Sequence, residues 1–196
     1  MEIEHIHCEN RNDESLWATY KERLLGDLEG KVFHLTSRHA WNLIQASGAV
    51  EHNKNELFKI NTGSQKSFGR LMGWVCLFDL RHATPDLITD TLDRYDFLLP
   101  PGDLGSEMSN GLAYLILDSK YYDRLIPYEK YNEHVRNTGQ YPMAVPKVET
   151  WILDKVPPTW IKKVVLVSIE AILTDAQMQR NRILKEAHQN LPWCQD

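Results

Sequence analysis

One segment, residues 111–118 with the sequence GLAYLILD, constrains the fold of this chain more than any other. It is almost continuously apolar, and turn-forming residues bound it at Asn110, Gly111, Asp118 and Ser119. Neighbouring side chains of a strand point to opposite sides of a sheet, so a strand that is apolar throughout has two buried faces. The sequence therefore predicts a strand at the centre of a sheet.

Other strands and helices follow one another loosely along the chain. Apolar residues at helical spacing, with acidic residues ahead of them and Gly30 behind them, predict an amphipathic helix at about 13–29. Comparable patterns predict strands at 31–36, 73–79, 145–153 and 164–169, and helices at 37–47, from Pro85 onward, at 121–139 and at about 174–190. Residues 51–69 are polar and poorly periodic, which indicates an exposed loop. This mixture of elements predicts an α+β fold.

The length and the apolar content favour a single domain. The chain has 196 residues, 42% of them hydrophobic, which suffices for one compact core but not for a clear second domain. We therefore expect one domain over residues 1–196, with the helices at about 13–29 and 174–190 near its ends. The first residues lack the layout of a secretory signal, and no apolar run is long enough for a membrane span. A cytoplasmic protein without a membrane partner is expected.

Several classes of site lack their sequence signals. Cys8, Cys76 and Cys194 are widely spaced and odd in number, so neither a disulfide framework nor a metal site is expected. The glycine-rich phosphate and dinucleotide loops, the HExxH zinc motif and the GxSxG serine-hydrolase motif are all absent. The net charge of −5 argues against tight non-specific binding of nucleic acid, although a local basic patch stays open.

The tripeptide His34-Leu35-Thr36 closes a short apolar run and carries the first candidate site. The strand period of two places His34 and Thr36 on one face and Leu35 on the other, so the polar pair can line a pocket. In the structural alternative, Thr36 or Ser37 caps the following helix and His34 is a satisfied, half-buried histidine. The tripeptide alone leaves both interpretations open.

Glu149 is a carboxylate within a predicted strand that is otherwise rich in Val, Thr, Trp and Ile. Alternation places it on the same face as Trp151 and opposite Val148. A buried and unpaired carboxylate costs several kcal/mol, so Glu149 must either be paired or face a cleft. The alternative is a solvated residue of an edge strand, paired with Lys147 or Lys155.

Three segments together resemble the ADP-ribosyltransferase family, and among its members the DarT-like toxins. The sequence FHLTSRHAWNLIQASG at 33–48 resembles a first strand ending in His-x-Thr, followed by a short helix and a glycine. The sequence VETWILDKVPPTWIKKVVLVSI at 148–169 resembles the late strand that carries the catalytic glutamate, and WVCLFDLR at 74–81 resembles a core strand followed by an arginine. The resemblance implies an α+β fold with split mixed or antiparallel sheets flanked by helices.

The resemblance also implies an enzyme that transfers ADP-ribose, with NAD as its co-substrate. Breaking the bond to nicotinamide passes through an oxocarbenium-like transition state, which a carboxylate stabilises. The implied catalytic residues are Glu149 and Arg81, with Arg81 as the first choice for pairing with the diphosphate. The implied NAD-binding residues, which contact the ribose, the diphosphate or the nicotinamide ring, are His34, Thr36, Arg70, Trp74 and Tyr114.

The acceptor of the ADP-ribose is not indicated and stays open among DNA, RNA and protein. A toxin or defence effector is one role that the resemblance implies, and a neutralising antitoxin would then be a partner. One alternative keeps the fold but is an RNA 2'-phosphotransferase, which requires several pocket arginines, with Arg38, Arg70 and Arg81 as candidates. The other is a non-catalytic interaction module that binds a protein through exposed aromatic residues such as Trp160 and Trp193.

Overall fold

A computed structural model describes residues 1–9, 13–53, 66–98, 111–153 and 155–169 of the chain. Its α-helices are α1 (Glu14–Leu28), α2 (Arg38–Ser47), α3 (Phe68–Met72), α4 (Pro85–Arg94) and α5 (Glu129–Thr138). Its strands are β1 (Glu2–Cys8), β2 (Val32–Ser37), β3 (Val50–Glu51), β4 (Trp74–Asp79), β5 (Leu112–Leu117), β6 (Glu149–Leu153), β7 (Lys155–Val156) and β8 (Ile161–Ile169). Short 3-10 helices lie at Asp96–Leu98, Ser119–Arg124 and Pro158–Trp160.

The principal sheet has six strands in the order β1, β8, β5, β2, β4, β6. Strands β1 and β8 are parallel, whereas the other neighbours in this sheet are antiparallel. Strands β3 and β7 form a separate antiparallel pair. Every residue of β5 is buried, and β5 lies inside the sheet, so the predicted central strand is confirmed. With helices flanking the sheets, the predicted α+β class is also confirmed.

Apolar side chains cover both faces of the principal sheet. On one face, here called the α1 face, residues of α1 and α4 pack against strand residues that include Phe33, Phe78 and Tyr114. On the other, here called the α2 face, Trp41 of α2 packs against strand residues that include Val32 and Leu115. The alternation of β2 therefore decides which layer each of its side chains enters.

Local signals in the sequence set several element boundaries. The side chain of Asp13 accepts hydrogen bonds from the backbone N–H groups of Ser15 and Leu16, which fixes the start of α1. Helix α2 ends at Gly48, whose left-handed φ of 81° is unfavourable for other residues. Pro85 is the first residue of α4, as its fixed φ and missing N–H favour.

The structure differs from the sequence predictions in three places. Residues 2–8 carry no predicted element but form β1, an edge strand in which the exposed His5 and His7 alternate with the buried Ile6 and Cys8. Residues 68 and 69, predicted as the end of the exposed loop at 51–69, belong to α3, and Phe68 is fully buried. The predicted strand at 145–153 begins only at Glu149, because residues 146–148 make a turn. The helical segment predicted at 121–139, with Pro127 expected to interrupt it, is divided there into a 3-10 helix and α5, so this prediction is confirmed.

Two further expectations concern the ends and loops of the chain. The helix at about 174–190 and most of the loop at 51–69 lie outside the described residues. The expected helix at about 13–29 corresponds to α1. Within the described ranges, the helices lack the length and apolarity that crossing a bilayer requires.

Gly111 provides a test of the packing between β5 and β8. Its φ is 103°, and a Cβ at this position would overlap the carbonyl oxygen of Val167 and approach Cδ of Arg38 to 2.8 Å. We expect Gly111→Ala to lower the free energy of unfolding by about 2–4 kcal/mol, because strain and overlap act together. Gly26→Ala is the matched control, since a Cβ there meets no atom within 4 Å. In α1 it should raise stability by roughly 0.5–1 kcal/mol. Urea denaturation of both variants measures the difference, and equal effects would contradict the prediction.

Candidate functional site

The pairing of β2 with β4 stops soon after it begins. Their ladder joins Val32 to Asp79 and Phe33 to Phe78, whereas β2 pairs with β5 as far as Ser37. Strand β4 continues instead along β6. The two halves of the principal sheet are therefore joined by a short ladder at the centre, and beyond Phe33 the strands separate. This separation is called the β2/β4 split below.

His34 lies at the β2/β4 split and is held by the backbone of β4. Its Nδ1 lies 2.8 Å from the carbonyl oxygen of Cys76. A carbonyl can only accept, so in the neutral ring the proton is assigned to Nδ1 and the lone pair to Nε2. Burial lowers the pKa of His34, and the bond to Cys76 only partly offsets this effect. The ring is therefore a neutral imidazole whose Nε2 is suited to accept a hydrogen bond.

Ser37, and not Thr36, caps the helix that follows β2. The hydroxyl oxygen of Ser37 accepts a hydrogen bond of 3.0 Å from the backbone N–H of Ala40. Thr36 is half-buried and points to the same face as His34, the α2 face, as the alternation of β2 predicts. The capping interpretation thus applies to Ser37 and does not account for Thr36.

Glu149 is the first residue of β6, and only 5% of its surface is exposed. Its Oε2 accepts a hydrogen bond of 2.6 Å from the backbone N–H of Val145, and its Oε1 accepts one of 3.0 Å from Nε1 of Trp151. The backbone N–H of Glu149 in turn donates to the carbonyl of Val145, which closes a turn where Lys147 has a φ of 66°. The alternative of a solvated edge residue is therefore wrong. The prediction that Glu149 shares a face with Trp151 is confirmed.

Burial and hydrogen bonding act in opposite directions on the Glu149 carboxyl group. Burial raises its pKa, while the donors Val145 N–H, the Cys76 thiol and the Trp151 indole lower it, and burial prevails. Burial and the nearby charge of Glu149 raise the pKa of Cys76 well above its usual range. The thiol is therefore protonated at neutral pH, and its sulfur lies 4.0 Å from the carbonyl oxygen of Leu77.

An aromatic cluster surrounds Glu149 on the α1 side of β6. The rings of Phe68 and Trp151 are buried with centroids 4.9 Å apart, and Tyr131 meets the edge of Phe68 at 5.3 Å. Trp74, which is predicted to stack on nicotinamide, belongs to this cluster, and its ring centroid lies 5.6 Å from that of Phe68. Burial first, and then the charges of Tyr131 and Glu149, raise the pKa of Tyr128 to about 12. Sequence reasoning missed Phe68 because a polar segment precedes it.

An open cleft of about 550 Å³ borders this cluster on α5. Its lining residues come from α5 and the following loop, and they are Glu129, Tyr131, Asn132, Val135, Arg136 and Tyr141. Tyr131 belongs both to the cleft and to the aromatic cluster. The hydroxyl of Tyr131 donates a hydrogen bond of 3.0 Å to the carbonyl of Pro142. This bond holds the ring of Tyr131 between the cleft and the aromatic cluster.

Arg81 does not present a free guanidinium group. Its Nε and Nη2 donate to the two carboxylate oxygens of Asp79 at 2.9 and 2.7 Å, and its guanidinium lies 4.7 Å from the ring centre of Tyr122. Asp79 satisfies the bidentate geometry that a diphosphate would require. The guanidinium of Arg81 is thus paired with Asp79 in the free protein, and its role as a diphosphate ligand stays a prediction.

Tyr114 and Arg70 have different surroundings. Tyr114 is completely buried, and its hydroxyl donates a hydrogen bond of 2.5 Å to the carbonyl of Leu98. Its ring is part of the core on the α1 face, and its role as a wall of a ligand site stays a prediction. Arg70 is half-buried in α3, two residues from Phe68 of the aromatic cluster.

The candidate residues form one group around Cys76 rather than a row on one face. His34 and Thr36 point to the α2 face, whereas Glu149 and Trp151 point to the α1 face. Cys76 joins the two sides, since its carbonyl accepts from His34 and its side chain lies on the same face as Glu149, its diagonal neighbour on β6. The structure thus brings His34 and Glu149 to a common residue.

Metal ligands do not gather at this site or elsewhere in the described ranges. Among the residues that the structure describes, no three His, Cys, Asp or Glu side chains are grouped to hold a metal ion. Near the start of the chain, Nδ1 of His7 lies 2.9 Å from the hydroxyl of Ser168.

Comparison with known proteins adds no family to these observations. No protein-family model, curated protein or solved structure matches the chain. The argument for function therefore depends on the residues and geometry described above.

The buried carboxylate gives a prediction for Glu149→Gln. A glutamine has one acceptor oxygen for the two donors Val145 N–H and Trp151 Nε1–H, so we expect a loss of about 1–3 kcal/mol in the free energy of unfolding. The loss should be greatest near pH 4.5 and decrease as the pH rises. A raised pKa in the folded state means that ionising Glu149 costs stability between its unfolded and folded pKa values, and glutamine avoids this cost.

Urea denaturation between pH 4 and 7 measures this difference, because the titration of all other groups cancels between the two proteins. The exposed Glu22→Gln variant in α1 serves as the control and should change stability little at any pH. A difference that grows with pH would show that the pKa of Glu149 is lowered on folding.

Proposed function

We propose that this chain is an NAD-dependent ADP-ribosyltransferase whose site lies at the β2/β4 split. The observation that carries the proposal is that His34 and Glu149 both neighbour Cys76, His34 through its hydrogen bond to the Cys76 carbonyl and Glu149 as the diagonal neighbour of Cys76 on β6. These two residues are far apart in sequence, and the resemblance assigned them to the same NAD site. The local sequence pattern around His34 or Glu149 does not by itself assign either residue to an NAD site.

The form of the sheet supports the finer fold assignment within this proposal. An ADP-ribosyltransferase-like fold implies split sheets, and the principal sheet here is interrupted between β2 and β4. The split lies next to His34, where the resemblance expects the ribose to bind. A complete ladder would leave no opening between these strands for a ligand.

His34 is suited to hold a ribose of NAD. Its Nδ1–H is committed to the carbonyl of Cys76, so Nε2 accepts from a ribose hydroxyl without a change of tautomer. Thr36 lies two residues along the same face and adds a hydroxyl that both donates and accepts. Trp74 belongs to the aromatic cluster and is proposed for the nicotinamide ring. Arg70, two residues from Phe68 of that cluster, is proposed for the diphosphate.

Glu149 supplies the negative charge that the reaction needs. The bond between ribose C1' and the nicotinamide nitrogen breaks, nicotinamide leaves with the electron pair, and positive charge develops on the ribose. An ionised carboxylate in a largely dry site stabilises this charge more than water does. The acceptor then forms a bond to C1' and releases its proton to Glu149 or to water. Glu149 is buried in the free protein, so neighbouring side chains must move before NAD can contact its carboxylate.

The acceptor is proposed to be a macromolecule, whether DNA, RNA or protein. A toxin or defence role with a neutralising antitoxin follows from the sequence resemblance and not from the geometry. An RNA 2'-phosphotransferase is less favoured, because that chemistry requires several pocket arginines and Asp79 already pairs with Arg81.

A non-catalytic interaction module is the second candidate. Both oxygens of Glu149 accept N–H donors of its own chain, which is also what a purely structural carboxylate would do. Trp160, one of the proposed contact residues, stacks on Tyr121 at 4.5 Å and is half-buried, whereas Trp193 lies outside the described residues. Measurements of NAD binding and turnover separate this candidate from the enzyme.

We expect NAD binding to depend on His34. Calorimetric titration with NAD should detect binding by the unaltered protein, and His34→Ala should weaken it roughly tenfold through loss of a ribose hydrogen bond. His39→Ala is the matched control, because His39 is an exposed histidine on α2 and should bind NAD normally. Absence of binding by the unaltered protein, or equal binding by His34→Ala, would contradict the NAD site.

We also expect Glu149 to act in turnover rather than in binding. Glu149→Gln should reduce NAD hydrolysis or transfer by about 10²–10³-fold, since the neutral amide cannot balance the charge of the transition state. NAD affinity should change far less. Nicotinamide release is measured at a temperature where Glu149→Gln is folded, with Glu22→Gln as the control. Turnover that survives in Glu149→Gln would remove the catalytic role and favour the interaction module.

A further inference from the structure

Residues 127–142, here called the α5 segment, are anchored to the rest of the protein at their two ends. At one end, the backbone N–H and carbonyl groups of Ile126 and Trp151 pair at 2.7 and 3.3 Å, which joins the chain to β6. At the other end, the carbonyl of Met143 accepts a hydrogen bond of 2.8 Å from the backbone N–H of Phe68. Among the described residues, the hydrogen bonds and ion pairs of the α5 segment all lie within it. Between its anchors, the segment is therefore held to the rest of the protein by side-chain packing.

Helix α5 rests against the aromatic cluster without entering the core. Each of its residues is exposed or half-buried. The ring of Tyr131 meets the ring of Phe68 edge-on at 5.3 Å, and the ring of Tyr128, just before α5, stacks on that of Trp151 at 6.1 Å. Helix α2 has the same length of ten residues but buries Trp41 against the sheet. Because few buried contacts allow local opening, α5 should open more readily than α2.

His134 makes the observed position of α5 less favourable. Its ring packs on that of Phe68 with the centroids 5.3 Å apart. Its Nε2 atom is shielded from solvent and, within the described ranges, has no hydrogen-bond partner. A shielded polar atom without a partner costs free energy, which water recovers when the helix moves away. This cost lowers the free energy needed to lift α5.

The α5 segment covers the side of β6 where Glu149 lies. The indole Nε1–H of Trp151 donates to Oε1 of Glu149 at 3.0 Å, and Tyr128 stacks on the same indole. The charge of Glu149 contributes to the raised pKa of both Tyr128 and Tyr131, as is expected for groups that lie close to it. Glu149 is buried beneath these rings. Lifting the segment would therefore open a path to the carboxylate.

We propose that the α5 segment is a lid over the carboxylate of Glu149, which opens as a unit about its anchors at Ile126 and Met143. In the closed state, the lid shields the carboxylate from solvent. Opening uncovers it and hydrates Nε2 of His134. The use of this lid to admit NAD rests on the proposed function, whereas the opening itself does not.

Native-state hydrogen exchange, followed by NMR, measures the opening. The backbone N–H groups of residues 133–138, which are bonded within α5, and the indole Nε1–H of Trp151 should exchange through the same event. Tyr131→Ala removes the ring contact with Phe68 without weakening the helix itself, since alanine is the best helix former. We expect it to speed both sets of exchange about tenfold. The indole signal is assigned by its loss in Trp151→Phe.

His134→Leu should have the opposite effect. Leucine keeps an apolar side chain of similar size on Phe68 and removes the nitrogen that lacks a partner, so exchange at both places should slow about threefold. Tyr141→Ala is the matched control, because Tyr141 belongs to the same segment but is 79% exposed. It should change either rate less than twofold. The backbone N–H groups of α2 are the internal reference and should exchange at the same rate in every variant.

Two results would overturn the lid. One is protection of the α5 backbone N–H groups equal to that of the buried strand β5, because α5 would then open only when the whole protein unfolds. The other is an indole rate that stays constant in Tyr131→Ala and His134→Leu while the α5 rates change, because the opening would then not reach Glu149. Rates that change together at α5 and at the indole, with α2 unaffected, support the proposal.

NAD cleavage connects the lid to function. At NAD concentrations well below saturation, the rate of nicotinamide release depends on the open fraction, so His134→Leu should slow release by the factor by which it slows exchange. Release that stays unchanged while exchange slows would overturn the role of the lid in admitting NAD. If the unaltered protein neither binds nor cleaves NAD, the proposed function is rejected, whereas the exchange rates still decide whether the lid exists.

Discussion

The hydrogen bond from His34 to the carbonyl of Cys76 is the interaction on which the rest of the candidate site depends. A sheet that stops pairing at its centre leaves buried backbone groups to be satisfied. Here the strands separate after Phe33, and a side chain supplies a donor that a backbone would otherwise supply. The same bond determines the tautomer of His34. A requirement of the fold and a property of the site are therefore met by one contact.

Glu149 shows a similar connection between stability and chemistry. Burying a carboxylate is unfavourable, and hydrogen bonds from the Val145 N–H of the turn and from the Trp151 indole of β6 reduce that cost without abolishing it. The cost that remains is seen in the raised pKa of Glu149. A group of this kind would be a poor choice for stability alone, since an apolar side chain could fill the same space. Its position beside an aromatic cluster and a split sheet is what makes a catalytic role the favoured proposal.

Much of the secondary structure was predictable because its signals are local. Helix caps, glycine ends and the apolar run of β5 act within a few residues, and the structure confirms them. Strand β1 was missed because an edge strand needs few apolar residues. Phe68 was missed because its burial comes from α3 packing on distant strands. The late start of the strand predicted at 145–153 reflects the turn that Glu149 closes, because a hydrogen bond from the Val145 N–H to a side chain leaves no signal in the periodicity.

The sequence by itself determined the α+β class, the central position of β5 and the facing of His34 with Thr36 and of Glu149 with Trp151. These follow from hydrophobic periodicity and from the alternation of side chains within one strand. Only the tertiary structure decided that Asp79 pairs with the guanidinium of Arg81 and that Tyr114 is buried in the core. It also decided that His34 and Glu149 both neighbour Cys76 while they point to opposite faces of the sheet. Alternation fixes the face of a residue within its own strand, whereas neighbouring strands and their register arise from contacts between distant parts of the chain.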